Sequence, residues 1–237
     1  MNIKSAVFTL GSVLLLSSVS AQAEITGNIA LATDYNFRGI SQNDEAGVIQ
    51  GGFDYSHENG FYAGLWGSNV DDNFYAGSSI ELDTYLGWSG DAGPVSLDVG
   101  YLRYNYLDND PSDPLIGYET DTDEFHIGVS KDFSTVNAGF TYYYSPDYYD
   151  AGATSYFDFS VGIPVNQFSI AAHYGVTSID EKSAGTDLDY ADFSIGISTE
   201  YEGLGFDLSY ADTDDDGQCT GSKLCEGRVI FTMSKSM

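Results

Sequence analysis

Basic residues are scarce in this chain. Eight lysines and arginines stand against 36 aspartates and glutamates, for a formal net charge of -28 over 237 residues. Phosphate backbones are held by Lys and Arg, so a nucleic-acid partner is excluded. Long apolar runs are missing too: no segment offers the roughly 18 unbroken apolar residues that a membrane-spanning helix needs. Cysteine is limited to Cys219 and Cys225, and histidine to His57, His126 and His173. Two cysteines without a nearby histidine are too few for a metal centre. No sequence signature marks a nucleophile with its base. Neither an enzyme nor a cofactor is expected. Disorder is excluded as well, because 15% of the residues are aromatic and disordered acidic chains have few aromatics.

The chain opens with Lys4, an apolar run over residues 6–16, and Ala21-Gln22-Ala23. A basic start, a short apolar centre and a small-x-small end form a cleavable export signal. The expected organisation is therefore a leader over residues 1–23 and one domain over residues 24–237.

That domain is built from alternation. In the segment from Ile80 to Trp88, Ile80, Leu82, Leu86 and Trp88 point one way, and Glu81, Asp83, Tyr85 and Gly87 the other. Successive side chains of a strand face opposite sides of the sheet. Twelve such segments follow one another. The first five cover residues 25–37, 47–57, 61–69, 80–88 and 94–106, and the last covers 227–235. Five short connections, among them His57-Glu58-Asn59-Gly60 and Tyr201-Glu202-Gly203, alternate with six long ones. Asn-Gly between alternating strands is a strong hairpin signal, because both residues tolerate positive φ. The pattern predicts an all-β fold, a transmembrane antiparallel barrel of about 12 strands with short periplasmic turns and long extracellular loops. Two aromatic belts are expected at the membrane interfaces. Tyr55, Phe61, Trp88, Phe133, Phe168 and Tyr201 lie by the short turns; Tyr35, Phe37, Tyr106, Tyr142, Tyr144 and Tyr210 lie by the long loops.

By parity the inner wall carries Asp34, Asp54, Glu81, Asp83, Asp98, Glu124, Asp158, Asp192 and Asp207, together with His126 and, as its clearest basic residue, Arg38. Carboxylate rings favour cations in a pore. Arg103 is the other arginine considered for a constriction. Cys219 and Cys225 fall in the last long loop, where an oxidising exterior favours a disulfide between them. The same loop sets Asp212, Asp214 and Asp216 at positions 1, 3 and 5 of an EF-hand-like pattern, with Gly217 at position 6. Position 12 is Lys223, so the motif is incomplete and a solvated acidic loop is the expectation.

Two segments carry a family likeness. Asp34-Tyr35-Asn36-Phe37-Arg38-Gly39-Ile40-Ser41-Gln42 resembles the D-Y-x-F-R-G-x-S-Q opening of the TorF-type porins, a proteobacterial group. The stretches from Gly51 to His57 and from Gly60 to Val70 resemble that group's next block. The chain departs from many such barrels in ending Lys235-Ser236-Met237 rather than in an aromatic residue. The resemblance implies an outer-membrane barrel of porin type. Its expected partners are outer-membrane lipids and, during export, periplasmic chaperones and the barrel-assembly machinery. The expected function is passive passage of small solutes or ions, with cations preferred. The alternative is a non-transport barrel with a structural or ligand-binding role through its acidic loops.

Overall fold

The computed structural model describes residues 23–110, 112, 120–181 and 187–237. The leader expected over residues 1–23 lies, but for its last residue, outside them. So does most of the third long loop.

Twelve long strands close into one antiparallel barrel: β1 (Glu24–Ala32), β4 (Val48–Ser56), β5 (Phe61–Asn69), β6 (Ile80–Ala92), β7 (Val95–Tyr106), β8 (Thr122–Asp132), β9 (Asn137–Ser145), β10 (Gly152–Val165), β11 (Phe168–Glu181), β12 (Tyr190–Tyr201), β13 (Leu204–Thr213) and β14 (Arg228–Ser236). Two strands of two residues each, β2 (Asn36–Phe37) and β3 (Ile40–Ser41), form a separate small hairpin. Each long strand pairs with its sequence neighbour. The barrel closes where β1 meets β14, with Leu31 opposite Met233. Closure leaves no unpaired edge, which a barrel in lipid requires.

The alternation sorts the two faces. Ile25, Ile49, Phe53, Leu86, Phe125, Ile127, Phe159, Ile195 and Leu208 are exposed on the outside. Their neighbours Glu81, Asp83, Glu124 and Asp192 are buried. Tight places inside are filled by pairing a glycine with an aromatic ring. The Tyr62 ring lies over Gly87 and against Gly100, so close that a Cβ at Gly87 would come within 2.3 Å of the tyrosine. A glycine is required there because the ring occupies the space a side chain would need.

The belt by the short turns forms as expected, with Tyr55, Phe61, Phe133, Phe168 and Tyr201 exposed. Trp88 is half-buried and its Nε1 donates to the Asn59 carbonyl at 2.8 Å. The other belt is smaller than expected. Tyr144 and Tyr210 are exposed there, but Tyr35 and Tyr106 are buried inside and Phe37 packs against them. For Tyr106 the reason is parity: it shares the inner face of β7 with Leu102 and Tyr104. For Tyr35 and Phe37 the reason is the chain path. The first strand does not run to Phe37. It stops at Ala32, and residues 33–47, here termed L1, turn inward.

Several other strands run further than expected, β6 among them. β10 continues through Pro164 to Val165, and β11 extends to Glu181. Both contain 14 residues, more than the 9–11 tilted residues a bilayer needs. This hairpin therefore projects beyond the membrane span.

Candidate functional site

The site is the barrel interior, and L1 dominates its long-loop half. The L1 sequence makes its own small hairpin. Asn36 pairs with Ser41 and Phe37 with Ile40. Arg38 and Gly39 turn the chain with φ of 49° and 83°, the positive-φ pair of a two-residue hairpin. The Ser41 hydroxyl donates to Asp34 Oδ1 at 2.7 Å, and the Gly39 N–H donates to Asn36 Oδ1 at 3.2 Å. The motif from Asp34 to Gln42 thus encodes a folded insert rather than the end of a strand.

The insert reaches strands on several sides of the barrel. The Tyr35 hydroxyl donates to Glu81 Oε1 on β6 at 2.9 Å, and its ring meets Trp66 of β5 edge-on at 5.4 Å. Phe37 meets Tyr104 of β7 at 5.8 Å. Asp34 accepts from Arg228 of β14 at 3.0 Å. The Tyr190 hydroxyl of β12 donates to the Arg38 carbonyl at 3.0 Å. Gly39 lies against Asp192 and Thr213. Arg38 Nη2 donates to both Glu124 oxygens on β8, at 2.8 and 2.9 Å.

Neighbouring loops seal the insert. Gln42 accepts a hydrogen bond from the Tyr75 hydroxyl in the second long loop. Tyr75 stacks on Tyr106 with ring centroids 4.0 Å apart. Tyr106 and Tyr149 share a hydroxyl hydrogen bond of 2.8 Å. Cys219 and Cys225 are joined in a disulfide, as expected, with a Cα–Cα distance of 5.5 Å. The pair is buried in one apolar cluster with Tyr190, and Ile40 of L1 packs against that cluster. The disulfide therefore braces the part of the last long loop against which Ile40 of L1 packs. Cys219→Ser should leave the heat-resistant barrel intact on gels but raise protease cleavage of L1 several-fold; unchanged cleavage would show that L1 does not depend on the bridge.

At this level the interior is filled. Arg38, Glu81, Asp83, Glu124 and Asp192 are all buried, Asp192 at 0% exposure. Burial by itself would favour a neutral guanidine and is the largest single influence, but Glu124 together with Tyr148, Tyr104 and Tyr156 keeps the Arg38 pKa well above the ordinary arginine value. Removing one member of such a buried pair typically costs about 3–5 kcal/mol.

The short-turn half is more open. Half-buried Asp54 accepts from the Tyr85 hydroxyl and from Asn28 Nδ2 at 3.4 Å. His126 Nε2 pairs with Asp98 Oδ1, which also accepts from the Tyr62 hydroxyl at 3.0 Å. His173 stands between Asp158 at 3.3 Å and Asp192 at 3.1 Å, one ring nitrogen to each. Asp207 lines the same half on β13 and is half-buried.

The structure thus gathers the parity-assigned residues into two layers. Asp34, Arg38, Glu81, Asp83, Glu124 and Asp192 belong to the plugged layer. Asp54, Asp98, His126, Asp158 and Asp207 belong to the open one. Arg38 reaches the interior from a loop, not from a strand. Arg103 lies elsewhere, paired with Asp121 and Asp123 at 3.1 and 3.0 Å on the parity opposite to Tyr104. The three aspartates of the EF-hand-like pattern are not brought together. Asp212 sits on β13 and accepts from the exposed Tyr210 hydroxyl at 2.6 Å. Asp214 accepts from the backbone N–H groups of Ala191 and Asp216, at 3.0 and 3.3 Å. Among the described residues no group of three acidic, histidine or cysteine side chains could hold a metal ion.

Sequence parity also held a signal that charge alone missed. Tyr85, Tyr104 and Tyr156 share the inward parity of the carboxylates on their strands, and Tyr62 and Tyr143 point inward from strands that carry none. Tyr104, Tyr143 and Tyr156 pack against L1 at Phe37 and Arg38.

Comparison with known proteins places the fold. A solved NanC porin superposes with a TM-score of 0.55 at 11% identity, covering 89% of this chain and 98% of that one. OmpF of Salmonella typhi, solved in complex with daunomycin, superposes at 0.51 and 6% identity, covering 92% and 98%. At such identities the likeness is one of fold, the closed porin barrel. A search of curated proteins finds no match. The family model described as "Bacterial protein of unknown function (Gcw_chp)" matches residues 17–237, and the chain belongs to that family.

Proposed function

We propose that this protein is an outer-membrane channel of porin type, cation-preferring, with L1 as a plug that must move for solutes to pass. The observation that carries the reading is a closed barrel with an apolar outer face and a carboxylate-lined interior. The porin fold supports it, as does the resemblance of residues 32–70 to the TorF-type porins. In this reading the chain is exported through its leader, assembled by the periplasmic barrel machinery, and seated with its short turns in the periplasm. The protein works as a conduit and not as an enzyme.

The test is the reversal potential of the purified protein in a planar bilayer under a salt gradient. Cations should be favoured, and the preference should fade as salt shortens the screening length from about 8 Å at 0.15 M to about 3 Å at 1 M. Glu81 and Asp83 are unsuitable for mutation here, because they sit in the plugged layer. Asp54→Asn with Asp207→Asn removes charge from the open layer instead, and should reduce cation preference by roughly half. Anion preference would overturn the reading. The filled L1 layer favours a second reading, a barrel that binds or braces without transporting; it would be supported by absence of conductance even after L1 is released.

A further inference from the structure

The surroundings of Arg38 are better described as a site on the barrel wall than as a feature of L1. Glu124, Tyr143 and Tyr156 stand on three adjacent strands, β8, β9 and β10, and Tyr148 comes from the loop joining β9 to β10. These four residues lie outside L1, which itself adds the Phe37 ring, 4.8 Å from the Arg38 Cζ. Together they surround one guanidinium. Glu124 supplies both oxygens to Nη2. The Arg38 Cζ stands 4.0 Å from the Tyr156 ring centroid, 5.2 Å from Tyr143 and 5.8 Å from Tyr148. The Tyr104 hydroxyl donates to Glu124 Oε1 at 3.3 Å, fixing the carboxylate. A buried carboxylate framed by aromatic faces is the chemistry that recognises organic cations. Here it is shaped for a planar one.

The fit of the resident group is incomplete. Arg38 Nη1 is buried with no hydrogen-bond partner among the described residues. Tethered to its hairpin, the side chain offers one nitrogen to Glu124 where an untethered guanidinium can offer two in parallel. L1 is therefore displaceable by a better-oriented ligand of the same class.

We propose that Glu124, Tyr143, Tyr148 and Tyr156 form a binding site for small solutes bearing a guanidinium group, and that Arg38 occupies it as a built-in stand-in. The solute displaces Arg38, and L1 loses its main ionic anchor. This names a solute class for the channel reading and depends on that reading only for the route by which the solute arrives.

The test is calorimetry on detergent-solubilised Arg38→Ala, titrated with N-ethylguanidinium, the portion of the side chain that the substitution removes. We expect saturable binding, about tenfold tighter than ethylammonium because only the planar fork matches the carboxylate, and none for neutral N-ethylurea. Adding Glu124→Gln should abolish it. No saturable binding, or equal affinity for ethylammonium, would overturn the proposal. If Arg38→Ala fails to form a heat-modifiable barrel, wild-type protein decides. N-ethylguanidinium should then accelerate chymotryptic cleavage at Tyr35 and Phe37 while ethylammonium should not, and equal rates would overturn the proposal. Binding without conductance under any condition would instead remove the channel reading and leave the site standing. Conductance without binding would do the reverse.

Discussion

Glu124→Gln should convert a mostly closed barrel into a mostly open one. The substitution keeps the shape of the side chain and removes its charge, so Arg38 is left as a buried cation without a counter-ion. Its side chain is 5% exposed in the folded insert, so water cannot replace what is lost. The expected penalty is about 3–5 kcal/mol. L1 can relieve it by leaving the interior and hydrating Arg38, whereas the twelve-stranded ladder has no such stake in the pair. A bias of about 3 kcal/mol shifts a two-state balance by more than a hundredfold. The open fraction in single-channel recordings should rise accordingly, while heat-modifiable migration stays unchanged. A variant that opens no more often than wild type would mean that the ion pair does not anchor L1.

Gly39→Val should produce a comparable release by steric means. Gly39 turns the hairpin tip at φ +83°, a conformation that β-branched residues rarely adopt. Its position against the wall adds a second obstacle: a Cβ there would stand 2.5 Å from Thr213 Cγ2 and 2.9 Å from Asp192 Cβ. Backbone strain alone is on the order of 1–3 kcal/mol, and the overlap must be relieved as well. We expect rapid protease cleavage within L1 and a larger open fraction. Gly77→Ala is the internal comparison. Gly77 also has positive φ, at +86°, but no atom lies within 4 Å of the Cβ it would gain. It should show the strain cost without release of L1. Equal behaviour of the two variants would place the effect in backbone strain and not in contact with the wall.

The barrel itself was legible because its signal is periodic and redundant. Ile80, Glu81, Leu86 and Gly87 fall on the faces that their parity assigns, and hydrogen bonding to the next strand enforces that assignment along the whole ladder. Tyr106 could have been placed by the same rule, since it shares the face of Asp98. L1 was less accessible. Tyr35 and Phe37 continue the alternation of the first strand, so periodicity alone extends that strand by five residues. The information that stops it is local: Asp34 able to accept from Ser41, and an Arg-Gly pair able to turn. The partner that makes the turn point inward, Glu124, is 86 residues away, and no short-range pattern reveals that distance. The disulfide followed from composition, but its packing against Ile40 and Tyr190 depends on tertiary structure. The aspartates of the last loop show the opposite failure. Their spacing suggests a common centre, yet Asp212 continues β13 while Asp214 is bonded to the backbone N–H groups of Ala191 and Asp216.

The most direct measurement compares the conductance of the intact protein with that of a barrel in which residues 34–45 are replaced by a short Asn-Gly turn. That replacement removes the insert and leaves β1 and β4 paired along Ile25–Tyr55 and Ala32–Val48. We expect steady, cation-selective current through the shortened protein and rare, brief openings of the intact one. Silence from both, with the barrels shown to be folded and inserted, would contradict a plugged channel.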